Sequence, residues 1–393
     1  MTMDKIAENG VLLPVDIVDA FDHLFLLGLA SIVQSEKNIP VGIRWQTRST
    51  ALVFSPEANL DEFLLTAAVK AHVQRHVHSE WLNSTAKLAG GHRSPLSPRI
   101  GKLSGAEAFE ALERARRLLI DGLDVTDILT QRFLGSLGRP ADWTRNSKGE
   151  MVPDWGASAW EMKTRNRGEE FVQNRLAKIA QAVDGWDDKT VLDGLCGYEM
   201  TDTAGRDSLD SRTPTGLRSP GPADNARAWC ALWGIANFPI RPVSSQSSSR
   251  STSRQISVTA GAVRRRGRVW FYLPVCERAT LLDGVRAVIR SSALARQAAL
   301  AIGNGADVSE GAMTRFGGIG RDYKWLFEHG VTRIVLFDRE KSDNANAPEL
   351  FASIGRLTST LRIPSIEHMP RKVRSDIGSG ASPVRAGTVP SVI

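Results

Sequence analysis

His72 and His76 stand four residues apart in "VKAHVQRHVHSEW", a little more than one helical turn. On a helix both imidazoles share a face, an arrangement by which two histidines can grip a metal ion. No acid lies between them. The intervening residues are Val73, Gln74 and Arg75, and Arg75 brings positive charge to where a cation would sit. The alternative is that these are surface histidines near a helix end, where they complement the dipole and can touch phosphate.

A second constellation lies in "PDWGASAWEMK". Asp154, Glu161 and Lys163 resemble the PD-(D/E)xK nuclease pattern, in which two carboxylates hold a magnesium ion and a lysine supports the attacking water. The spacing here is shorter than in that pattern. The residues that follow, "TRNRGEEF", read as a turn and a helix start where that chemistry needs a strand. The competing reading is a packed tryptophan segment with surface charges. No GxSxG occurs, and "GNGADVSEG" and "GGIG" lack the preceding strand and Lys-Ser/Thr pair of a phosphate loop. Outside the nuclease alternative no catalytic residue is expected, and no cofactor. The three cysteines, Cys196, Cys230 and Cys276, are odd in number and form no CxxC. That argues against a disulfide framework or a thiolate zinc site and for small buried side chains.

The stronger signal is positive charge. The chain of 393 residues carries a formal net charge of +7, which favours an anionic partner, nucleic acid first among them. Four loops concentrate that charge. Arg165, Asn166 and Arg167 precede a helix whose free N–H groups can also meet phosphate. Arg212, Thr213, Thr215 and Arg218 lie in "SRTPTGLRSPG". Arg264, Arg265 and Arg266, with Arg268, fall at the tip of an expected hairpin. His92, Arg93, Arg99 and Lys102 make the fourth loop. Tryptophans near these stretches can stack on bases. Each patch alone could be only a solvated loop.

These loops need a scaffold. "DIVDAFDHLFLLGLASIVQSE" (16–36) has apolar residues at helical spacing and reads as a buried helix, with Gly28 allowing close packing. Short strands follow at Val41–Gln46 and Ala51–Phe54. The next helix is expected to start from Asn59 as its cap. Ser104 and Glu107 form a capping box for another. Further helices are expected at about 124–137, over "GEEFVQNRLAKIAQAV", from Ala228, and from about 280 to 302. "VTRIVLFDR" reads as a late strand. The order mixes helices and hairpins without βαβ alternation, so the expected class is α+β, helix-rich with short antiparallel hairpins. Four regions are expected: an N-terminal α+β domain with basic loops over 1–242, a Ser/Arg-rich linker over 243–255, a C-terminal hairpin plus helices over 256–369, and a disordered tail over 370–393. Asp4, Glu8, Asp16, Asp19 and Asp22 crowd the start, with no basic segment ahead of an apolar one. No apolar run reaches the roughly 18 residues of a spanning helix, so no membrane and a cytoplasmic location are expected.

Over residues 210–290 the chain resembles the large-subunit proteins of CRISPR interference complexes, especially the type I-G (formerly I-U) group. The resemblance rests on the apolar helix "NARAWCALWGIANFPI" followed by the basic hairpin in "RRRGRVWFYLPVCERATLLDGVRAVI". The opening "LFLLGLASIV" and "GIRW" also fit. The resemblance implies a non-catalytic subunit that contacts guide RNA, target DNA or both, alongside other subunits of the complex. It assigns no individual residue.

Overall fold

A helix hydrophobic on all sides must be buried on all sides, and such a helix runs through the middle of this protein. The computed structural model describes residues 10–88, 91–97, 105–138, 144–145, 151–152, 160, 171–209, 221–242, 257–265, 268–302, 319–341, 349–351 and 354–358. Strand β1 (Gly10–Pro14) leads into α1 (Ala20–Lys37), in which every residue from Ala20 to Val33 is buried. Asp19 caps α1 by accepting the N–H of Phe21, and Lys37 sits in its last turn, as the helix dipole favours. A hairpin of β2 (Gly42–Trp45) and β3 (Thr50–Phe54) follows, then α2 (Glu62–Val77). After a single turn at Glu80–Asn83 and the short pair β4 (Ala86–Leu88) and β5 (Gly91–Arg93) come α3 (Gly105–Asp121) and α4 (Ile128–Ser136).

The small pair β6 (Thr144–Arg145) and β7 (Met151–Val152) precedes a π-helical turn at Val172–Leu176. That turn runs straight into α5 (Ala177–Asp184). Next are α6 (Asp188–Cys196) and α7 (Asn225–Trp233). Strands β8 (Ile240–Pro242), β9 (Ser257–Thr259), β10 (Ala262–Arg265), β11 (Arg268–Cys276) and β12 (Thr280–Leu281) lead to α8 (Leu282–Arg290) and α9 (Ser292–Ile302). The described chain closes with α10 (Ile319–Glu328), β13 (Val331–Lys341), β14 (Glu349–Phe351) and β15 (Arg356–Leu357).

The fold is α+β. One sheet has the order β1-β3-β2-β12 and another β10-β11-β13-β14, with β15 also on β13. Every strand pair among the described residues is antiparallel. No helix among them is long and apolar enough to cross a membrane.

The hydrophobic core runs continuously across the Ser/Arg-rich segment expected to separate two units. Strand β12 pairs with β2, placing Thr280 opposite Ile43. Arg286 of α8 reaches into the first 242 residues. Its Nε donates to Asn237 Oδ1 at 2.8 Å and another guanidinium nitrogen donates to Ser31 Oγ at 3.2 Å. Ser31 in turn donates to the Leu27 carbonyl at 2.6 Å, so this buried polar junction is hydrogen-bonded throughout.

Gly28 performs the role expected of it. A Cβ there would stand 1.7 Å from the carbonyl oxygen of Cys230, and one at Gly234 would stand 2.3 Å from that of Leu24. Helix α1 and the α7 segment therefore cross backbone against backbone. Several expected boundaries move: α1 starts at Ala20 instead of 16, and α7 at Asn225 instead of Ala228. Asp61, not Asn59, caps α2, accepting the Leu64 N–H at 2.7 Å. Helix α4 begins at Ile128 instead of 124, because Asp124 bonds the N–H and hydroxyl of Thr126 in a local turn that competes with helix.

Candidate nucleic-acid interface

The arginine-rich hairpin forms as the sequence implied. Strand β10 pairs with β11 in the register Arg264 opposite Val269 and Arg265 opposite Arg268, which leaves Arg266 and Gly267 as the connection. The ribbon holds because its other end is anchored. Phe271, Tyr272, Leu273, Val275 and Cys276 are buried, and β11 continues along β13 from Trp270 to Cys276. Three residue steps, about 10 Å of strand, separate Arg268 from Phe271, the first of these buried side chains.

Phe271 belongs to an aromatic cluster with Trp160 and Phe238. The Trp160 ring lies 4.7 Å from Phe271, edge on, and 4.5 Å from Phe238. Its indole N–H donates to the Ala260 carbonyl at 2.9 Å, one residue before Gly261 and β10. All three rings are fully buried. This cluster packs at the base of the β10–β11 hairpin. In sequence, Trp160 comes five positions before Arg165. Phe238 leads through β8 into the Ser/Arg-rich stretch. Phe271 sits on the strand that carries Arg268. Arg165, Asn166, Arg167 and Arg266 themselves lie outside the described residues, as do Asp154, Glu161 and Lys163 of the nuclease alternative. Trp160, between Asp154 and Glu161, is a core residue, as the packed-tryptophan reading expected.

Arg212, Thr213, Thr215 and Arg218 also lie outside the described residues, yet both ends of their loop are visible and tied together. Asp202, fully buried, accepts the N–H of Gly205 at 2.9 Å, that of Ala223 at 3.2 Å and the side-chain amide of Asn225 at 2.8 Å. Asn225 returns a bond, accepting the Ala204 N–H at 2.9 Å. Asp224 caps α7 through the Arg227 N–H at 2.9 Å and accepts the Thr201 N–H at 3.2 Å. Burial pushes the Asp224 carboxyl up to about 6, against the pull of those N–H donors and the Arg227 charge. Asp202 and Asn225 were not singled out from sequence. They stand 23 residues apart, and nothing local announces their pairing.

His72 and His76 do share a face, with ring centroids 4.5 Å apart. They are not surface residues, however. They are 1% and 2% exposed, packed among Trp81, Trp229 and Trp233, so the reading of exposed histidines against phosphate is corrected. Burial, reinforced by each other and by Arg75, pushes His72 well below its usual value. Burial also lowers His76 to about 4, with Asp127 opposing and Arg75 adding. Trp229 Nε1 donates to His72 Nδ1 at 3.0 Å. An indole nitrogen can only donate, so the His72 lone pair is occupied and its Nε2 carries the proton. His72 therefore has no lone pair for a metal in this geometry. Among the described residues, no three His, Cys, Asp or Glu side chains are placed to hold one.

The cysteines behave as expected. All three are free and buried, and desolvation raises Cys196 and Cys276 to about 12 and Cys230 still further. These are inert thiols. Comparison of the chain with protein-family models, with curated proteins and with solved structures found no match.

Proposed function

We propose that the protein is a non-catalytic nucleic-acid-binding subunit of an RNA-guided interference complex, contacting guide RNA, target DNA or both beside other subunits. The observation that carries this reading is the arginine-bearing β10–β11 hairpin, held at its base by the Trp160–Phe238–Phe271 cluster. Arginines on such a hairpin neutralise phosphates. Thr, Asn and backbone N–H groups then fix register along the backbone. Most of the positive excess of the chain falls on residues outside the described core, which is close to charge-balanced. The resemblance over residues 210–290 supplies the interference-complex setting, and the charge supplies the polyanion.

Purification of the tagged protein from cells, followed by sequencing of co-purified RNA, tests the reading. Enrichment of short repeat-derived RNA that is lost when Arg264, Arg265, Arg266 and Arg268 become Gln supports it. Enrichment of no RNA or DNA at low salt contradicts it.

A further inference from the structure

A cleft of about 540 Å³ opens where the end of α2, the turn at Glu80–Asn83 and the α3–α4 junction meet. Its sign is opposite to that of the protein. Glu80, Asp124 and Asp127 line it, against the single cation Arg75. Arg75 is already engaged, pairing with the buried carboxylate of Glu36. Asp127 spends one lone pair of each oxygen on Thr130, accepting its N–H at 3.0 Å and its hydroxyl at 2.7 Å. Asp124 accepts both Thr126 donors on the same oxygen, leaving its second oxygen outside that turn.

A second observation points to a ligand. His76 lines the cleft at 2% exposure, and neither ring nitrogen has a hydrogen-bond partner among the described residues. A buried imidazole left unpaired costs stability unless something meets it. Trp81, whose ring centroid lies 5.6 Å from that of His76, provides an aromatic wall, and Leu119 and Leu123 provide apolar ones. Carboxylates, a neutral imidazole and an indole face together suit an organic cation and repel phosphate.

We propose that this cleft binds an alkyl chain ending in an ammonium or guanidinium group. Asp124, Asp127 and Glu80 balance its charge, His76 accepts one of its N–H bonds, and Leu119 and Leu123 pack on its stem. Two sources share this chemistry, a free polyamine and the Lys or Arg side chain of a protein partner. The proposal does not depend on the reading of nucleic-acid binding.

Spectra of protein carrying ¹³C-labelled histidine rings, titrated with agmatine, putrescine, neutral 1-pentanol and acetyl-Leu-Arg-Leu-amide, test the proposal. The cations are expected to shift the His76 ring resonance saturably at millimolar concentration, and pentanol is not. Asp124→Asn, which keeps the one oxygen that accepts both Thr126 donors, and Asp127→Asn, which keeps an acceptor for the Thr130 N–H, are expected to weaken the binding by about tenfold or more, with near-UV circular dichroism unchanged. Tighter binding of the peptide than of the free amines assigns a protein side chain, and the reverse assigns a polyamine. No shift with any cation, or a shift insensitive to both Asn substitutions, overturns the proposal.

Discussion

The indole N–H of Trp229 donates to Nδ1 of His72 across 3.0 Å, in the middle of the helical core. This bond decides between two uses of a histidine pair. It holds His72 in the tautomer with its proton on Nε2, which gives a packing histidine and not a metal ligand.

Replacing Trp229 with Phe keeps an aromatic ring but orphans the buried His72 acceptor. The expected cost is about 1–3 kcal/mol in urea unfolding. Wild-type protein is expected to melt at the same temperature with and without added zinc. A zinc-dependent rise in melting temperature that His76→Gln abolishes would contradict this account.

Acid is expected to destabilise the fold well before most carboxylates titrate. Burial lowers His23 to about 4, opposed by its bond to the Ile17 carbonyl and by Asp16. The unfolded chain takes up that proton near 6.5. The stabilisation is therefore complete above pH 6.5 and is lost as pH falls toward 4, by about 3 kcal/mol for a shift of this size. His72 and His76 carry the same sign. Asp224, raised to about 6, carries the opposite one, since its folded form holds the proton first as pH falls, and it offsets some of the loss. Glu36, which burial also raises, has the same sign as Asp224. Three histidines outweigh these two carboxyls, so urea midpoints measured at pH 5 should lie below those at pH 7. Equal midpoints would refute the assignment.

Gly28→Ala is expected to cost about 3 kcal/mol or more, because the new methyl must displace the Cys230 carbonyl and push α1 and α7 away from each other. Gly135→Ala in α4, where a Cβ meets nothing within 4 Å, should instead stabilise by up to about 1 kcal/mol. Unfolding curves of the two variants give the contrast directly, and a neutral Gly28→Ala would show that α1 and α7 can move apart freely.

Much of the scaffold is legible in the residues themselves. An all-round apolar stretch with one glycine reads as a buried helix with a close crossing, and two β-rich runs around Arg-Gly read as a hairpin. What is not legible depends on distant partners. "GVLLP" is too short and too uniform to separate strand from helix, and only pairing with Thr50–Phe54 makes it β1. Helix α6 is short and mixed in character, and it carries no clear apolar face until α2 and α7 pack against it. The histidines look polar beside Arg75, yet Trp229 and Trp233, more than 150 residues away, bury them. The pairing of β12 with β2 across the Ser/Arg-rich stretch has no local signature at all. The hairpin that carries Arg264, Arg265 and Arg268 is legible because two β-rich runs flank an Arg-Gly break. The Asp202–Asn225 knot is not, because side-chain acceptors choose their donors only after the chain has folded.

The account turns on the hairpin arginines meeting phosphates. The most direct test is the slope of log Kd against log salt for single-stranded RNA, compared between wild-type protein and a variant with Arg264, Arg265, Arg266 and Arg268 all changed to Gln. Loss of four phosphate contacts should flatten the slope by about 3, at about 0.7 per contact on a single strand. The urea midpoint should not change, because those residues lie at the far end of the ribbon from its buried root. A variant that binds with wild-type affinity and an unchanged slope would contradict the assignment of this hairpin to nucleic acid.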